Sequence, residues 1–360
     1  MTTPVHLGGA ASRARSSDVL LDVQDLHTTF RSDDGAVKAV DGVSFHIRRG
    51  EVFAVVGESG SGKSVTALTL MGLVPTPPAV VEAEAVLWKG EDLLAGGGER
   101  MRAARGKEIA MIFQDPLTAL NPTHTIGRQI AEMARIHEGA TRRQARQRAI
   151  DMLRLVGIPQ PERRVDMHPH EFSGGMRQRA MIAMAITCNP DLLIADEPTT
   201  ALDVTVQAQV LEVLMSIKDE IDSAIMLITH DLGVVAGLAD RVMVMYAGRA
   251  VELGTAREIF YETRHPYTLS LLASLPRIDE DADQPLVPIK GAPPSLIRLP
   301  SGCKFHPRCP FAQPLCVETE PVLRVVDGAA HCAACHYGED LARVGVDAIR
   351  RQGDPEPVQA

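Results

Sequence analysis

The stretch GESGSGKS, residues 57–64, constrains the fold of this chain more than any other feature. It follows the continuously apolar run EVFAVV and precedes SVTALTLMGLV, which has a helical pattern. A glycine-rich turn between a buried strand and a helix lets backbone N–H groups surround a phosphate. The motif therefore predicts a site for a nucleoside triphosphate and Mg²⁺, built from Gly57, Ser59, Gly60, Ser61, Gly62, Lys63, Ser64 and Thr66.

A second motif, LLIADEP, supplies acidic groups to the same chemistry. Its apolar residues predict a buried strand that delivers Asp196 to the carboxyl edge of a sheet, where a carboxylate can hold the Mg²⁺ shell. Glu197 follows directly and is placed to polarise an attacking water, so we predict that it is the general base. A helix-capping or solvated acid is the other interpretation of Glu197.

The rest of the pattern predicts an α/β protein. VLLDVQDLHTTF and VKAVDGVSFHI alternate apolar and polar residues, as half-buried antiparallel strands do. Four further apolar runs, EIAMIF, DLLIAD, SAIMLIT and RVMVMY, are separated mostly by helical patterns, which indicates a largely parallel central sheet. Between the first two of these runs, a segment rich in Arg, Gln, Ala and Met predicts a helical insertion at about residues 115–190.

The amino-acid composition changes along the chain, which predicts its domain boundaries and excludes some classes of partner. We expect a disordered leader at 1–17, an ATPase domain at 18–256, a Pro- and Cys-rich C-terminal extension at 257–345 and a tail at 346–360. The chain has 45% hydrophobic and 23% charged residues, typical of a globular protein, and its net charge of −9 argues against a nucleic-acid partner. No signal peptide or spanning run is recognisable, so we expect a cytoplasmic protein that could still dock on a membrane partner.

Three more motifs keep a fixed order around these two: FSGGMRQR before LLIADEP, TTALD after it, and THD at 229–231. The ordered set resembles the ATP-binding subunit of ABC transporters, over roughly residues 18–256, which implies a P-loop NTPase fold that hydrolyses ATP. The resemblance implies that Gln114 contacts Mg²⁺ beside Ser64 and senses the membrane partner. It also implies the D-loop aspartate at Asp203, the switch histidine at His230 and an adenine-stacking ring at Phe30.

The SGG stretch at 173–175 places a hydroxyl and two glycines at a helix start, where exposed amides and the helix dipole suit an anion. By the resemblance, Ser173, Gly174 and Gly175 bind the ATP held by a second ATPase subunit in a head-to-tail dimer, because this chain carries one set of motifs. Met176 stands where the commonest signature has Gln, and methionine cannot donate the hydrogen bond of a glutamine amide.

EFSGGMRQR and RHPYT resemble the dipeptide and oligopeptide importer branch. This implies peptide uptake, powered from the inner face of the cytoplasmic membrane. The expected partners are a second ATPase subunit (a homologous chain, with a copy of this one as the alternative), two transmembrane permease subunits and an extracytoplasmic substrate-binding protein. Nickel or opine uptake stays open, because no residue here contacts the cargo. A non-transport ABC ATPase or a P-loop kinase is the rival from another class; the kinase leaves SGG and THD unexplained.

Five of the six cysteines lie near the C-terminus, and clustered cysteines in a reducing compartment indicate metal or redox chemistry. This segment resembles the C-terminal domain of peptide and nickel importer ATPases, which implies four ligands of a [4Fe–4S] cluster: Cys303, Cys309, Cys316 and Cys335. Their spacing matches neither the ferredoxin runs nor a usual zinc ribbon, so Zn²⁺ and unmetallated thiols stay open.

The neighbouring residues are assigned other roles. Cys332 forms C-x-x-C with Cys335 and is a competing ligand. We expect His306, His331 and His336 to be structural or supporting groups rather than ligands, and Cys188, on an apolar helical stretch, to belong to the core.

Overall fold

The computed structural model describes residues 18–200, 203–275, 288–327 and 330–343, so the predicted leader (1–17) and tail (346–360) lie outside the described residues. The strands are β1 (Val19–Ser32), β2 (Gly35–Arg48), β3 (Val52–Val56), β4 (Ala79–Glu82), β5 (Ala85–Trp88), β6 (Glu91–Asp92), β7 (Ile109–Ile112), β8 (Leu192–Asp196), β9 (Ala224–Thr229), β10 (Arg241–Tyr246), β11 (Arg249–Thr255), β12 (Arg324–Asp327) and β13 (His331–Ala333). The helices are α1 (Lys63–Leu70), α2 (Glu99–Ala104), α3 (Pro116–Ala119), α4 (Ile126–Glu138), α5 (Arg142–Leu155), α6 (Pro161–Arg164), α7 (Gly174–Ile186), α8 (Val204–Ile221), α9 (Leu232–Ala236), α10 (Ala256–Tyr261), α11 (Pro266–Ala273) and α12 (Pro314–Glu318).

The central sheet has the strand order β12-β13-β11-β10-β3-β9-β8-β7. Strands β10, β3, β9, β8 and β7 are mutually parallel, which confirms the prediction from the apolar runs. All residues of β3, β8, β9 and β10 are buried, as expected of strands covered on both faces. The carboxyl ends of β3, β8 and β9 therefore meet at one edge of the sheet, where the predicted phosphate loop and acidic residues lie.

A smaller antiparallel sheet packs beside the central one. Its order is β2-β1-β5-β6, with β4 also paired to β1, and β1 and β2 are antiparallel as predicted. Near the turn of this hairpin, Phe30 lies opposite Val37. Residues from both sheets, including Phe45 of β2 and Phe53 of β3, share one hydrophobic cluster in which these two rings stack 5.1 Å apart.

The helices from α3 to α7 lie between β7 and β8 in the chain and form the helical region that the composition indicated. Their buried residues, such as Ile130 of α4 and Leu153 of α5, form a second hydrophobic cluster with Ile112 and Leu193 of the sheet. Helix α7, which begins with the SGG stretch, contributes residues such as Ala180 and Ile186 to this cluster.

The C-terminal extension is joined to the sheet more closely than its composition indicates. β13 pairs with β11 and β12 pairs with β13, both antiparallel, so the extension continues the central sheet by two strands. Phe305 is 1% exposed, and its ring centroid lies 5.3 Å from those of both Tyr246 and Tyr267. Residues 288–323 are otherwise loops, one 3₁₀ turn and α12, which agrees with the expected irregular extension.

Candidate functional site

The loop between β3 and α1 has a backbone that favours glycine. Gly60 and Gly62 have φ angles of +79° and +103°. A side chain at Gly62 would overlap the carbonyl oxygen of Ala39, whereas nothing lies within 4 Å of the equivalent position at Gly60. Glycine at position 62 is therefore required by both conformation and close packing.

Lys63 lies beneath this loop and is 4% exposed. Its ammonium group donates hydrogen bonds to the carbonyl oxygens of Gly57 (2.8 Å) and Glu58 (3.0 Å). Burial lowers the pKa of Lys63, and the carboxylates of Glu197, Asp196 and Glu58 oppose that shift. A bound phosphate would supply negative charge that the two neutral carbonyl groups cannot.

Ser64 and Asp196 form the link between the loop and the next acidic motif. The Ser64 hydroxyl donates a hydrogen bond to Asp196 Oδ1 at 2.9 Å. Asp196 is 5% exposed, and burial raises its pKa while the bond from Ser64 opposes the rise. A hydroxyl and a carboxylate are the hard oxygen ligands that Mg²⁺ prefers, so these two residues fit the predicted magnesium site.

Glu197 lies at the centre of a group of polar side chains. Gln114 Nε2 and Thr200 Oγ1 donate to Glu197 Oε2 at 2.9 and 2.8 Å, and His230 Nδ1 lies 3.4 Å from Oε1. The backbone of Glu197 is left-handed (φ +46°), which non-glycine residues rarely adopt. Because such strain clusters at functional sites, the geometry supports a chemical role for this carboxylate.

One cavity of about 840 Å³ brings most of the predicted nucleotide residues together. Its polar lining comes from Glu58–Ser64, Gln114, Glu197 and His230. Its apolar lining comes from Phe30, Val37, Ala39, Val65, Leu271, Pro293 and Leu296. The volume lies within the range usual for ligand pockets, and the two kinds of lining match the two halves of a nucleotide.

Several predicted residues lie outside the lining of this cavity. Thr66 supports the loop, because its hydroxyl donates to the Gly62 carbonyl oxygen at 3.0 Å. Among the described residues that line the cavity, none belongs to the SGG stretch, and Asp203 is also missing from that lining. Asp203 caps α8 by accepting a hydrogen bond from the Val206 N–H at 3.0 Å.

The SGG stretch forms the start of α7, as predicted. Ser173 accepts a hydrogen bond from the Met176 N–H at 3.4 Å, and both Ser173 and Gly174 are exposed. The sulfur of Met176 lies 3.2 Å from Arg164 Nη1, so this side chain has a partner within its own chain. The start of α7 is therefore exposed and capped, and it does not line the nucleotide cavity.

The four predicted cysteine ligands line a second cavity, of about 140 Å³. Burial raises the pKa of Cys309 and of Cys335 to about 12, and also raises the pKa of Cys303. Backbone hydrogen bonds from Phe305 to Cys303, from Phe311 to Cys309 and from Tyr337 to Cys335 oppose this rise. The described residues nevertheless contain no group of three or more His, Cys, Asp or Glu side chains arranged to hold a metal ion.

The predicted competing ligand Cys332 lies away from the cysteine cavity, and the neighbouring histidines make hydrogen bonds within the chain. Cys332 packs in the main hydrophobic cluster and does not line the cysteine cavity. His306 Nδ1 bonds the Cys303 carbonyl oxygen (2.8 Å), and His336 Nε2 bonds that of Thr319 (2.9 Å). His331 is fully buried with Glu252, 2.8 Å away.

Both parts of the chain match known protein families. Residues 40–200 match the sequence family described as ABC transporter. Residues 251–316 match the family described as oligopeptide/dipeptide transporter, C-terminal region. The oligopeptide transport ATP-binding protein OppD of Bacillus subtilis is 53% identical over 302 residues, which are 84% of each chain.

This chain belongs to the ATP-binding subunits of oligopeptide and dipeptide ABC transporters. The dipeptide transport ATP-binding protein DppD of B. subtilis is 53% identical over 327 residues, covering 91% of this ABC subunit and 97% of the relative. The OppD protein of Escherichia coli is 48% identical over 314 residues, or 87% and 92% of the two chains.

Solved structures confirm the fold of this ABC subunit. An ATP-binding cassette solved as a dimer in a post-hydrolysis state with ADP and Pi superposes with a TM-score of 0.59 at 24% identity, covering 66% of this chain and 99% of the other. cbiO1 from Clostridium perfringens gives 0.57 at 28% identity, with 68% and 92% coverage. None of the described helices is long and apolar enough to cross a membrane.

Sequence reasoning missed several residues of the ABC subunit's sites. Thr200, which bonds Glu197, lies in the quoted TTALD motif and could have been proposed from it. Pro293 and Leu296, which line the cavity, carry no motif that marks them as part of a nucleotide site. They were missed because their contacts join parts of the chain far apart in sequence.

We expect Gly62→Ala to weaken ATP binding by on the order of tenfold or more, because the added methyl overlaps the Ala39 carbonyl and distorts the loop. Gly90→Ala is the matched control: its φ is also positive (+85°), the methyl meets open space and the residue does not line the cavity, so only roughly 1 kcal/mol of backbone strain is added away from the site. Calorimetric titration with ATP measures both. Equal affinities in the two variants would contradict this account of the loop.

Proposed function

We propose that this chain hydrolyses ATP to energise the uptake of di- and oligopeptides through an ABC importer. The observation that carries the chemistry is the Glu197 carboxylate, which three polar side chains contact beside the phosphate loop. The membership of the chain in the peptide-transporter branch, through both its cassette and its C-terminal region, supports the cargo class. Nickel or opine uptake is the second candidate, since the cargo is bound by other chains.

The mechanism follows from the positions of the side chains. Lys63 and the loop amides would hold the β- and γ-phosphates, and Ser64 with Asp196 would hold Mg²⁺, whose role is to neutralise the phosphate charge. Glu197 would then accept a proton from the attacking water. His230 and Gln114 both contact the Glu197 carboxylate. By holding this carboxylate, they would position the attacking water against the γ-phosphate.

Replacement of Glu197 by Gln keeps the shape and removes the base. We expect Glu197→Gln to bind ATP and to lose hydrolysis by on the order of a hundredfold or more. Glu82→Gln, an exposed position on β4, is the control and should hydrolyse ATP normally. Phosphate release in steady state, with ATP binding measured in parallel, tests the role. If Glu197→Gln released phosphate as fast as the control, Glu197 would not be the general base.

We further propose that two ATPase subunits complete each site. The exposed start of α7 does not line the nucleotide cavity of its own chain, which supports binding of the SGG stretch to ATP on a partner. Two permease subunits and an extracytoplasmic binding protein would complete the importer, with this chain peripheral on the inner face of the membrane. The boundaries 18–256 and 257–345 would separate the ATPase part from the extension.

The dimer proposal predicts that a charge at Ser173 stops hydrolysis without preventing ATP binding. We expect Ser173→Glu to lower phosphate release at least roughly tenfold, because a carboxylate repels the partner's phosphates. Ser216→Glu, on the exposed side of α8, is the matched control. Phosphate release and ATP affinity are measured for both. Equal hydrolysis in the two variants would contradict a site shared between subunits.

We propose that Cys303, Cys309, Cys316 and Cys335 bind a [4Fe–4S] cluster. Supporting observations are the single cavity that the four cysteines line and the backbone N–H groups that hydrogen-bond to the sulfurs of Cys303, Cys309 and Cys335, a feature that tunes cluster sites. A Zn²⁺ ion needs all four sulfurs about 2.3 Å from one point, whereas each thiolate of a cubane binds a different iron. Zn²⁺ stays the alternative occupant, and the metal analysis below separates the two.

The cluster proposal predicts about four iron and four sulfide ions per chain after anaerobic purification, with a visible absorption band. Cys309→Ser should lose both, because its sulfur lines the cavity. Cys188→Ser, a half-buried cysteine outside that cavity, should keep them. Metal and sulfide analysis with a visible spectrum decides the question. Stoichiometric zinc without iron would refute the cluster.

A further inference from the structure

The C-terminal extension contributes part of the nucleotide cavity. Pro293 and Leu296 line it together with Phe30 and Val37 of the β1–β2 hairpin. The hairpin turn is also in contact with the extension, because a Cβ atom at Gly35 would lie 3.2 Å from the side chain of Ile297. Since Phe30 pairs with Val37, residues 293–297 lie beside the end of the hairpin that carries the predicted adenine ring contact.

Arg308 joins this part of the extension to the phosphate loop. Its Nη1 and Nη2 atoms donate to Glu58 Oε2 (2.7 Å) and Oε1 (3.0 Å), and its Nε donates to the Lys290 carbonyl oxygen at 3.0 Å. The Tyr246 hydroxyl accepts a further bond at 3.3 Å. The Arg308 side chain is 5% exposed. One guanidinium therefore fixes both the second residue of the loop and the start of the segment that reaches the cavity.

The geometry of this contact favours a specific role over a general surface ion pair. A bidentate arginine–carboxylate pair sets the orientation of both groups, and here the arginine is buried while the glutamate side chain is 26% exposed. The main chain of Glu58 is held as well, since its N–H donates to the Tyr267 hydroxyl at 2.8 Å. The phosphate loop is thus held by the extension through both the side chain and the backbone of Glu58.

We propose that the extension is a built-in wall of the nucleotide pocket. Leu296 and Pro293 contact the nucleoside half of ATP, and Arg308 is the positioning residue that holds this wall against the loop. The phosphates occupy the polar lining near Lys63, so the apolar faces of the base take the lining formed by Phe30, Val37 and the extension. This inference rests on the ATP binding included in the proposed function.

The test compares Leu296→Ala with Leu299→Ala. Both leucines are half-buried in the same segment and pack on the same hydrophobic cluster, but only Leu296 lines the cavity. We expect Leu296→Ala to weaken Mg-ATP binding by on the order of tenfold and to leave the affinity for inorganic tripolyphosphate unchanged. Leu299→Ala should keep both affinities. The probes are Mg-ATP and Mg-tripolyphosphate, titrated into the full chain.

The outcomes are distinct. A parallel loss of ATP and tripolyphosphate affinity in Leu296→Ala, or an equal loss of ATP affinity in Leu299→Ala, would overturn the inference, because either result indicates a general effect on structure. Failure of the unaltered chain to bind ATP would refute the proposed function itself. An unaltered ATP affinity in Leu296→Ala, with normal binding by the parent chain, would overturn the wall and leave the function intact.

The positioning role is tested from both sides of the ion pair. Arg308→Lys keeps the charge but cannot make the bidentate contact, and Glu58→Gln removes the partner charge. We expect each to raise KM for ATP several-fold with kcat nearly unchanged, and the double variant to be no worse than the poorer single one. Lower kcat at unchanged KM, or additive effects in the double variant, would overturn the role.

Discussion

The hydrogen bond between Ser64 and Asp196 is the contact on which the nucleotide site depends. Asp196 is a buried carboxylate, and its charge is tolerable only where hydrogen bonds and nearby cations compensate for the lost solvation. That compensation requires the carboxyl ends of β3 and β8 to lie at the same edge of the sheet, separated by β9. The parallel order of the strands is therefore a condition for the chemistry as well as for the core.

The position of Glu197 at this edge of the central sheet explains why Gln114 and His230 contact it. Gln114 follows β7, Glu197 follows β8 and His230 follows β9, so the ends of three adjacent parallel strands converge on one carboxylate. The strained backbone of Glu197 is held by its N–H, which donates to the Ile228 carbonyl oxygen at 2.9 Å. A shift of any of these strands would alter the contacts of Glu197.

The sequence predicts these parts well because their determinants are local. The loop of residues 57–64, the apolar strands and the cap at Ser173 are each specified within a few residues. The Arg308–Glu58 pair spans 250 positions, and nothing near either residue marks the other. β12 and β13 are too short for a periodic pattern, so their addition to the sheet was not predicted. The burial of Cys332 in the core, away from Cys335's cavity, depends on that pairing.

The irregular part of the extension explains why a cysteine site and an arginine anchor occur next to each other. Residues 288–323 contain no strand that joins them to the sheet, so their position against it depends on side chains such as Phe305 and Arg308. Metal binding contributes directly to the free energy of folding such segments. Because Cys309 follows Arg308 in the chain, a cluster bound at the cysteines would hold the arginine in place. The cluster would then act on the nucleotide pocket only indirectly, by keeping the wall formed by Pro293 and Leu296 in position.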